Sequence, residues 1–388
     1  MNACAGANRG KLSGAAYAGM FVFGIVMALV GAALPALAKQ FQVGVADVGA
    51  LLLAMNLTML VCSLWIGVAI DHFGTKPPLV IGPLLVASAL VLIANATRFA
   101  HMIPAVVLLG AGGSALNTAT NNLVADLYED PGRKGAALNM LGVFCGIGAL
   151  FLPLCLGALL TAVGIQWLLI AAAALGVLTA VFAASPSYPV PKQQNRLPIA
   201  DMPRFLRSPL VLLMAGLLFF QSGVEFIMGG YVSVYLTRGF GMSIPAASWV
   251  LAGYWAAILV ARLMWSRVLT GARPVHVVIG CALMAAAAAA FTAVAPHPAL
   301  AGVGICLTGL ALSGIFPTTL GVAGAAFQDH SGTVFGILFT GALTGGTLLP
   351  WLAGRIAALA GLGWVFGVVA LAFVSIAILG AAMRKTQI

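Results

Sequence analysis

Long apolar runs are the feature that most constrains how this chain can fold. Twelve runs follow one another between short polar or Gly- and Pro-containing turns, near residues 15–38, 46–70, 77–96, 101–127, 134–160, 164–184, 209–237, 245–270, 273–295, 298–325, 331–357 and 361–383. A helix needs about 20 apolar residues to cross a bilayer. Because backbone groups in lipid must pair within their own segment, the runs predict an all-α membrane protein with twelve transmembrane helices.

The composition excludes most other classes of protein. Of the 388 residues, 62% are hydrophobic and only 7% are charged, whereas a soluble chain carries about 25% charged residues. The basic residues lie between the apolar runs instead of clustering, so we expect no nucleic-acid partner. No nucleophile–base pair, metal-ligand cluster or phosphate loop stands out in the sequence. We therefore predict that the chain is not an enzyme and needs no metal or cofactor.

The basic residues also predict the orientation of the chain in the membrane. With the N-terminus inside, three basic residues fall in outer loops: Lys39, Arg98 and Arg238. Thirteen fall on the inner side: Arg9, Lys11, Lys76, Arg133, Lys134, Lys192, Arg196, Arg204, Arg207, Arg267, Arg273, Arg384 and Lys385. Cytoplasmic loops carry the excess of Lys and Arg. We therefore expect a bacterial-type inner membrane protein with both termini in the cytoplasm.

One longer polar segment divides the chain into two halves. Residues 185–208 are rich in proline and basic residues and separate the sixth apolar run from the seventh. We predict an N-terminal six-helix bundle over residues 1–184, a cytoplasmic linker over 185–208, and a C-terminal six-helix bundle over 209–388.

Two weak internal repeats suggest that the halves arose by duplication. "GALFLPLCLG" (148–157) matches "GGTLLPWLAG" (345–354) as G-x4-P-x3-G, at an offset of 197 residues. "GAALPALAKQF" (31–41) aligns with "GYVSVYLTRGF" (230–240) at an offset of 199 residues. Parallel six-helix repeats are one way in which transporter folds are built.

A short motif at the inner end of the second run carries a resemblance to a known family. "GVAIDHFGTK" (67–76) fits G-x3-D-x2-G-x-K and resembles the signature loop of the major facilitator superfamily. Asp71 could face a helix N-terminus, Gly74 turns the chain, and Lys76 stays in the cytosol. The resemblance implies that Asp71, Gly74 and Lys76 form a gating latch, the alternative being an ordinary polar turn.

Three further segments resemble the fucose-permease-like sugar transporters. They are "GAGGSALNTATNNLVADL" (110–127), "FFQSGVEFIMGGYVSVYL" (219–236) with "WVLAGYWAAILVARL" (249–263), and "GILFTGALTGGTLLPWLAG" (336–354). The resemblance implies two pseudo-symmetric six-helix bundles around one central site, and sugar–proton symport by alternating access.

The chain departs from that family at positions that typically bind the coupling proton and the sugar. The positions that typically carry acids are Gly31 in the first run and Asn117 in the fourth, and a sugar-binding amide position is Gly142, although Asn139 remains nearby. Proton coupling by the usual residues and a strongly polar pocket therefore do not follow from the resemblance.

Two ionisable residues lie deep in predicted spans: Glu225 in the seventh and Arg262 in the eighth. Such residues face the bundle interior and are commonly functional. Glu225 has three interpretations: a permanent ion pair with Arg262, a protonated structural carboxyl, or a cavity residue that binds substrate or a coupling cation. By helical rise Arg262 lies roughly 10 Å nearer the cytosol, so a cytoplasmic gate is its alternative role. Asp126, at the inner end of the fourth span, is either a helix cap or a gate contact.

Uncharged polar and aromatic residues complete the predicted binding site. Gln221 lies one turn before Glu225 on the same face, and Tyr231 follows it. Asn117 and Asn121 share a face of the fourth span and either bind solute hydroxyls or hydrogen-bond between helices. Asn139 could join them. The ring pair Tyr254 and Trp255 either stacks on a sugar or packs against its neighbours.

We therefore expect a secondary transporter for a sugar or related hydroxylated compound, with a coupling proton or sodium ion left open and a monomeric state. An exporter of a less polar compound is the alternative within the same class. A non-transporting membrane receptor or scaffold is the alternative outside it.

Overall fold

The structure is a computed structural model, and it describes residues 2–42, 44–128, 131–189, 202–268, 273–327 and 331–386. Every regular element in these ranges is helical. The α-helices are α1 (Asn2–Phe41), α2 (Val45–Phe73), α3 (Lys76–Ala94), α4 (Met102–Leu127), α5 (Pro131–Val163), α6 (Ile165–Ala184), α7 (Met202–Leu206), α8 (Pro209–Phe240), α9 (Ile244–Val268), α10 (Pro274–Ala293), α11 (Pro298–Leu312), α12 (Ile315–Ala326), α13 (Ser331–Ala360) and α14 (Trp364–Thr386).

The prediction of twelve spans is confirmed. Twelve segments of the described chain are long and apolar enough to cross a membrane. The tenth is made of two helices, because α11 ends at Leu312 and α12 begins at Ile315. Residues Ser313 and Gly314 form the break, and the Ser313 hydroxyl turns back to donate to the Leu310 carbonyl. Among the described helices only α7 lies outside the twelve segments, and a short 3₁₀ turn at Phe99–His101 begins the fourth.

The chain forms two compact units. The first contains residues 1–43 and 54–195, and the second contains residues 44–53 and 196–388. Residues 190–201, within the predicted linker, lie outside the described residues. The predicted domain boundaries at 184 and 208 therefore stay predictions.

The same pattern of helix packing occurs inside each unit. In the first unit α1 packs against α5, and α3 packs against α4 and α6. In the second unit α8 packs against α13, and α10 packs against α11 and α14. These helices correspond in chain order, so the packing agrees with the duplication that the sequence repeats suggest.

Glycines permit the closest of these contacts. In the first unit Gly148 of α5 lies against the backbone carbonyl of Phe21 on α1, where a Cβ atom would overlap the oxygen. In the second unit Gly345 of α13 lies in the same way against the carbonyl of Phe219 on α8. Gly148 and Gly345 are the equivalent glycines of the first repeat. Small residues let membrane helices approach closely, and helix association in lipid depends on such packing.

The turn between α2 and α3 has the geometry that the signature motif requires. Gly74 has a positive φ of 81°, a conformation that suits glycine, and its N–H donates to the Ile70 carbonyl at 2.8 Å. α3 then begins at Lys76, with proline in its first turn. Proline is well tolerated there because the first helical N–H groups have no intrahelical partner.

We predict that Gly345→Ala lowers the stability of the protein, because the new methyl group overlaps the Phe219 carbonyl. Overpacking of this kind costs about 1–3 kcal/mol. The measurement is the midpoint of thermal unfolding in a mild detergent.

The matched control for this prediction is Gly336→Ala on the same helix, where the added methyl group meets nothing within 4 Å. Its midpoint should be unchanged or slightly higher, since alanine is the better helix former by about 1 kcal/mol. Equal effects of the two substitutions would contradict the close-contact account.

Candidate functional site

Glu225 lies midway along α8 and is held by a residue of its own helix. Gln221, one turn earlier, donates from Nε2 to Glu225 Oε2 at 3.0 Å. The Gln221 side chain is buried, whereas the Glu225 side chain that accepts this bond is partly exposed. The predicted alignment of these two side chains on one face of the helix is therefore present.

Arg262 on α9 reaches the other oxygen of the same carboxylate. Its Nη2 lies 3.8 Å from Glu225 Oε1. This is one long contact and not the two short parallel bonds of a forked Arg–carboxylate pair. The Arg262 side chain is 26% exposed and that of Glu225 is 17% exposed, so neither group is sealed inside the unit. The interpretation of Glu225 as the partner of Arg262 in an ion pair is thus compatible with its interpretation as an accessible cavity residue.

The pair forms although helical rise places Arg262 well away from Glu225 along the membrane normal. α9 follows α8 after a three-residue turn, residues 241–243, so the two packed helices run in opposite directions. Side chains lean toward the N-terminus of their own helix. The long Arg262 side chain consequently leans back along α9 toward the depth of Glu225.

Tyr254 and Trp255 both lie about two turns before Arg262 on α9, and both are buried. Their rings pack edge to face at 5.2 Å, and the Tyr254 ring also lies against Gly309 of α11. This burial favours the packing interpretation over stacking on a sugar.

The polar atoms of this ring pair have no hydrogen-bond partner among the described residues. The Tyr254 hydroxyl and the Trp255 Nε1–H are both fully buried and unpaired. The sequence gives no sign of these unpaired donors, because hydrogen-bond satisfaction depends on tertiary packing.

Tyr231 has a different environment from the other predicted binding residues. Its side chain is buried, and its hydroxyl donates to the Pro350 carbonyl on α13 at 3.1 Å. The ring also fits against Gly354. The structure therefore uses the polar end of Tyr231 to join α8 to α13 and does not bring it to Glu225.

The asparagines of α4 bond within their own helix. Asn121 Nδ2 donates to the Asn117 backbone carbonyl at 2.8 Å and to Asn117 Oδ1 at 3.2 Å. Both side chains remain partly exposed. These bonds differ from the predicted bonds between helices, and they leave hydroxyl recognition by the pair as a prediction.

The predicted gating residues are only partly described. The side chains of Asp71 and of the predicted binding residue Asn139 lie outside the described residues, and Asp126 is exposed at the end of α4. Lys76 Nζ lies 5.9 Å from the centre of the Tyr188 ring, a contact between the signature loop and the segment after α6 that the sequence did not indicate. Burial raises the pKa of Tyr188 to about 12, and its hydroxyl donates to the Ala183 carbonyl at 2.8 Å.

We predict that Tyr231→Phe destabilises the protein by about 1 kcal/mol, because it leaves the buried Pro350 carbonyl without the Tyr231 hydroxyl. Tyr254→Phe is the matched control, since it removes a buried hydroxyl that has no partner among the described residues. That substitution should be neutral or stabilising. Denaturant or thermal unfolding of both variants is the measurement, and a larger loss in Tyr254→Phe would contradict the assignment.

Comparison with known proteins agrees with the resemblance seen in the sequence. The family model described as Major Facilitator Superfamily matches residues 16–235 and 214–387. The uncharacterized MFS-type transporter YfkL of Bacillus subtilis (strain 168) is 22% identical over 371 residues, which cover 92% of this chain and 91% of that protein. The fosmidomycin resistance protein of Escherichia coli (strain K12) is 25% identical over 343 residues, which cover 86% and 83%.

Solved structures show the same fold at low sequence identity. The E. coli fucose:proton symporter, in its N162A form, has a TM-score of 0.68 at 18% identity, and the match covers 96% of this chain and 98% of that one. A D-xylose-proton symporter has a TM-score of 0.78 at 13% identity and covers 97% of both chains.

Proposed function

The chain belongs to the Major Facilitator Superfamily and is an integral membrane transporter of a small molecule, and from that premise we propose that its solute is a sugar or related hydroxylated compound. We further propose that transport is driven by protons through Glu225, by alternating access, in a bacterial inner membrane with both termini in the cytoplasm. The protein acts as a monomer and has no catalytic role in this proposal.

The observation that carries the proposal is the carboxylate in the middle of α8. A charged side chain at the centre of a bilayer costs about 2.5 kcal/mol or more on insertion scales. Glu225 is only partly compensated there, by one long contact from Arg262 and one bond from Gln221. A purely structural ion pair would gain more from a short forked contact. The loose pair therefore favours a carboxylate that changes partner during the transport cycle.

The solute class is supported by two kinds of similarity. Sequence segments around Glu225 and Asn117 resemble sugar transporters, and two proteins with the same fold are named as fucose and D-xylose proton symporters. Gly31 and Asn117 occupy the positions where sugar symporters typically carry acids. Glu225 is thus the carboxyl to which we assign coupling.

A specific observation favours one alternative, which is export of a less polar compound. The fosmidomycin resistance protein is similar to this chain over 86% of its length. Expression of this chain in a fosmidomycin-sensitive strain separates the two functions. Protection of growth without uptake of any sugar would favour export.

We predict that Glu225→Gln abolishes accumulation of solute against a gradient but leaves most of the exchange of solute for solute. Glutamine keeps a hydrogen-bonding side chain of similar size and cannot carry the coupling proton. The measurement compares proton-driven uptake with counterflow in proteoliposomes.

The control for this prediction is Asp47→Asn, which changes a carboxyl at the start of α2, where Asp47 accepts from the Gly44 N–H. This variant should keep both activities. Equal loss of both activities in Glu225→Gln would count against a coupling role and would favour a role in binding or folding. Absence of counterflow for every solute in the wild-type protein would contradict the transport proposal.

A further inference from the structure

Basic residues accumulate at one end of the second unit, the end at which α8 and α10 begin and α14 ends. From residue 196 onward, the sequence places seven basic residues on the predicted inner side: Arg196, Arg204, Arg207, Arg267, Arg273, Arg384 and Lys385. It places two acidic residues there, Asp201 and Asp329, and both lie outside the described residues. An excess of positive charge therefore remains even if each of these acids pairs with one basic residue.

The packing of α14 against α10 brings three of the basic side chains together. Gly380, near the end of α14, lies against the side chain of Ile279, near the start of α10, so α14 ends where α10 begins. Arg384 comes one turn after Gly380, and His276 comes about one turn before Ile279. Arg273, the N-cap residue of α10, lies just before His276. All three of these side chains are exposed.

α14 also packs against α8, and this contact adds a fourth basic residue. Gly216 of α8 faces the side chain of Leu379 on α14. Arg207 precedes Gly216 by nine residues, and Arg384 follows Leu379 by five. Along the helix axes Arg207 then lies roughly 6 Å farther out than Arg384, a gap that an extended arginine side chain spans. The basic cluster thus extends from α10 across the end of α14 to the start of α8.

A buried aromatic residue fixes the segment that carries Arg207. Phe205 in α7 is buried, and its ring packs edge to face on that of Phe327 with 6.0 Å between the ring centres. The Ser208 N–H donates to the Phe205 carbonyl at 3.0 Å. Arg207 lies between these two residues with its side chain exposed. The segment is therefore anchored to the unit while Arg207 is left accessible.

The cluster has no acidic partner in the part of the chain that the structure describes. The acidic residues described in the second unit are Asp47 and Glu225. Glu225 lies roughly 25 Å beyond Arg207 along α8. Asp47 lies toward the other end of the unit, because Gly49, half a turn later, is close to the Tyr231 hydroxyl in the second half of α8. The positive charge of the cluster is therefore available to an external anion.

The apolar outer surfaces of α10 and α14 end at this cluster. Leu283 and Met284 on α10 and Leu371 and Ile378 on α14 are each more than half exposed, as side chains that face lipid are. His276 lies on the same face of α10 as Leu283, two turns away. An apolar surface with positive charge at one end is complementary to a phospholipid with a negatively charged headgroup. A soluble acidic protein would match the charges but not the apolar surface, which the bilayer covers.

We propose that Arg207, Arg273 and Arg384 bind the phosphate group of an anionic phospholipid, whose acyl chains lie along α10 and α14. Guanidinium groups suit this role because they bind phosphate through two parallel hydrogen bonds. In the proposed orientation this end of the unit lies at the cytoplasmic membrane surface, where anionic headgroups attract basic residues. The inference goes beyond the proposed transport function, and it depends on neither the solute nor the coupling ion.

The test measures lipid binding to the full chain in an uncharged detergent, from the rise of the thermal unfolding midpoint as lipid is added. The probe is phosphatidylglycerol. The control lipid is phosphatidylcholine with the same acyl chains, which carries a phosphate but no net charge. We expect a saturable rise with phosphatidylglycerol and a much smaller one with phosphatidylcholine. Glycerol 3-phosphate, which has the anionic phosphate without acyl chains, should also have a much smaller effect.

Paired substitutions test the assignment of the arginines. Arg207→Gln combined with Arg384→Gln should weaken phosphatidylglycerol binding by about 20-fold, because each basic residue near an anionic lipid surface contributes about fivefold. The matched control is Arg9→Gln combined with Lys11→Gln, which removes the same charge from exposed positions near the start of α1. That variant should bind phosphatidylglycerol as the wild-type protein does. Arg207→Lys combined with Arg384→Lys keeps the charge and should keep most of the binding.

Three results would overturn the lipid site. Equal responses to phosphatidylglycerol and phosphatidylcholine would show that the charge is not recognised, a comparison that needs only the wild-type protein. Equal weakening in the two glutamine double variants would mean diffuse attraction to the whole basic side. A response to glycerol 3-phosphate as strong as that to phosphatidylglycerol would mean a site for soluble anions. Counterflow tests the transport proposal separately, so each of these failures would leave that proposal intact.

Discussion

The lipid interior imposes the requirement on which the rest of this structure depends, namely that each backbone polar group within it must be hydrogen-bonded and each charged side chain needs compensation. Backbone groups meet this requirement inside twelve helices, because a helix pairs its N–H and C=O groups within one segment. The same requirement makes the few charged side chains informative. Glu225 lies at the middle of α8 with a long contact to Arg262 and a hydrogen bond from Gln221.

The close packing of the helices in each unit is a second consequence of having lipid as the solvent. Because lipid tails are as apolar as leucine, helices gain little from hydrophobic burial and associate through close contact. Gly148 and Gly345 provide that contact at equivalent places, each against a backbone carbonyl of the first helix of its unit. The α8–α13 pair that results fixes the helix that carries Glu225.

The sequence predicts the helices and the family well, because hydropathy and the family motifs extend over whole segments. It predicts the site less well, because a site depends on the direction and burial of single side chains. The estimate from helical rise placed the backbone of Arg262 far from that of Glu225. It did not include the direction in which a side chain leans along its helix. For the ring pair Tyr254–Trp255 the sequence left stacking on a sugar and packing against neighbours as alternatives, because burial against α11 is a tertiary property. Asn117 and Asn121 hydrogen-bond within α4, and their spacing alone does not decide between such bonds and bonds to another helix.

The central claim is that Glu225 carries the proton that drives transport, and proton movement measured together with solute entry tests it most directly. Proteoliposomes in a weakly buffered medium are given solute without an imposed gradient, and the external pH is recorded. The account predicts alkalinisation of the medium with the wild-type protein and none with Glu225→Gln, although solute still exchanges. Solute entry without any pH change in the wild-type protein, or an unchanged proton signal in Glu225→Gln, would contradict it.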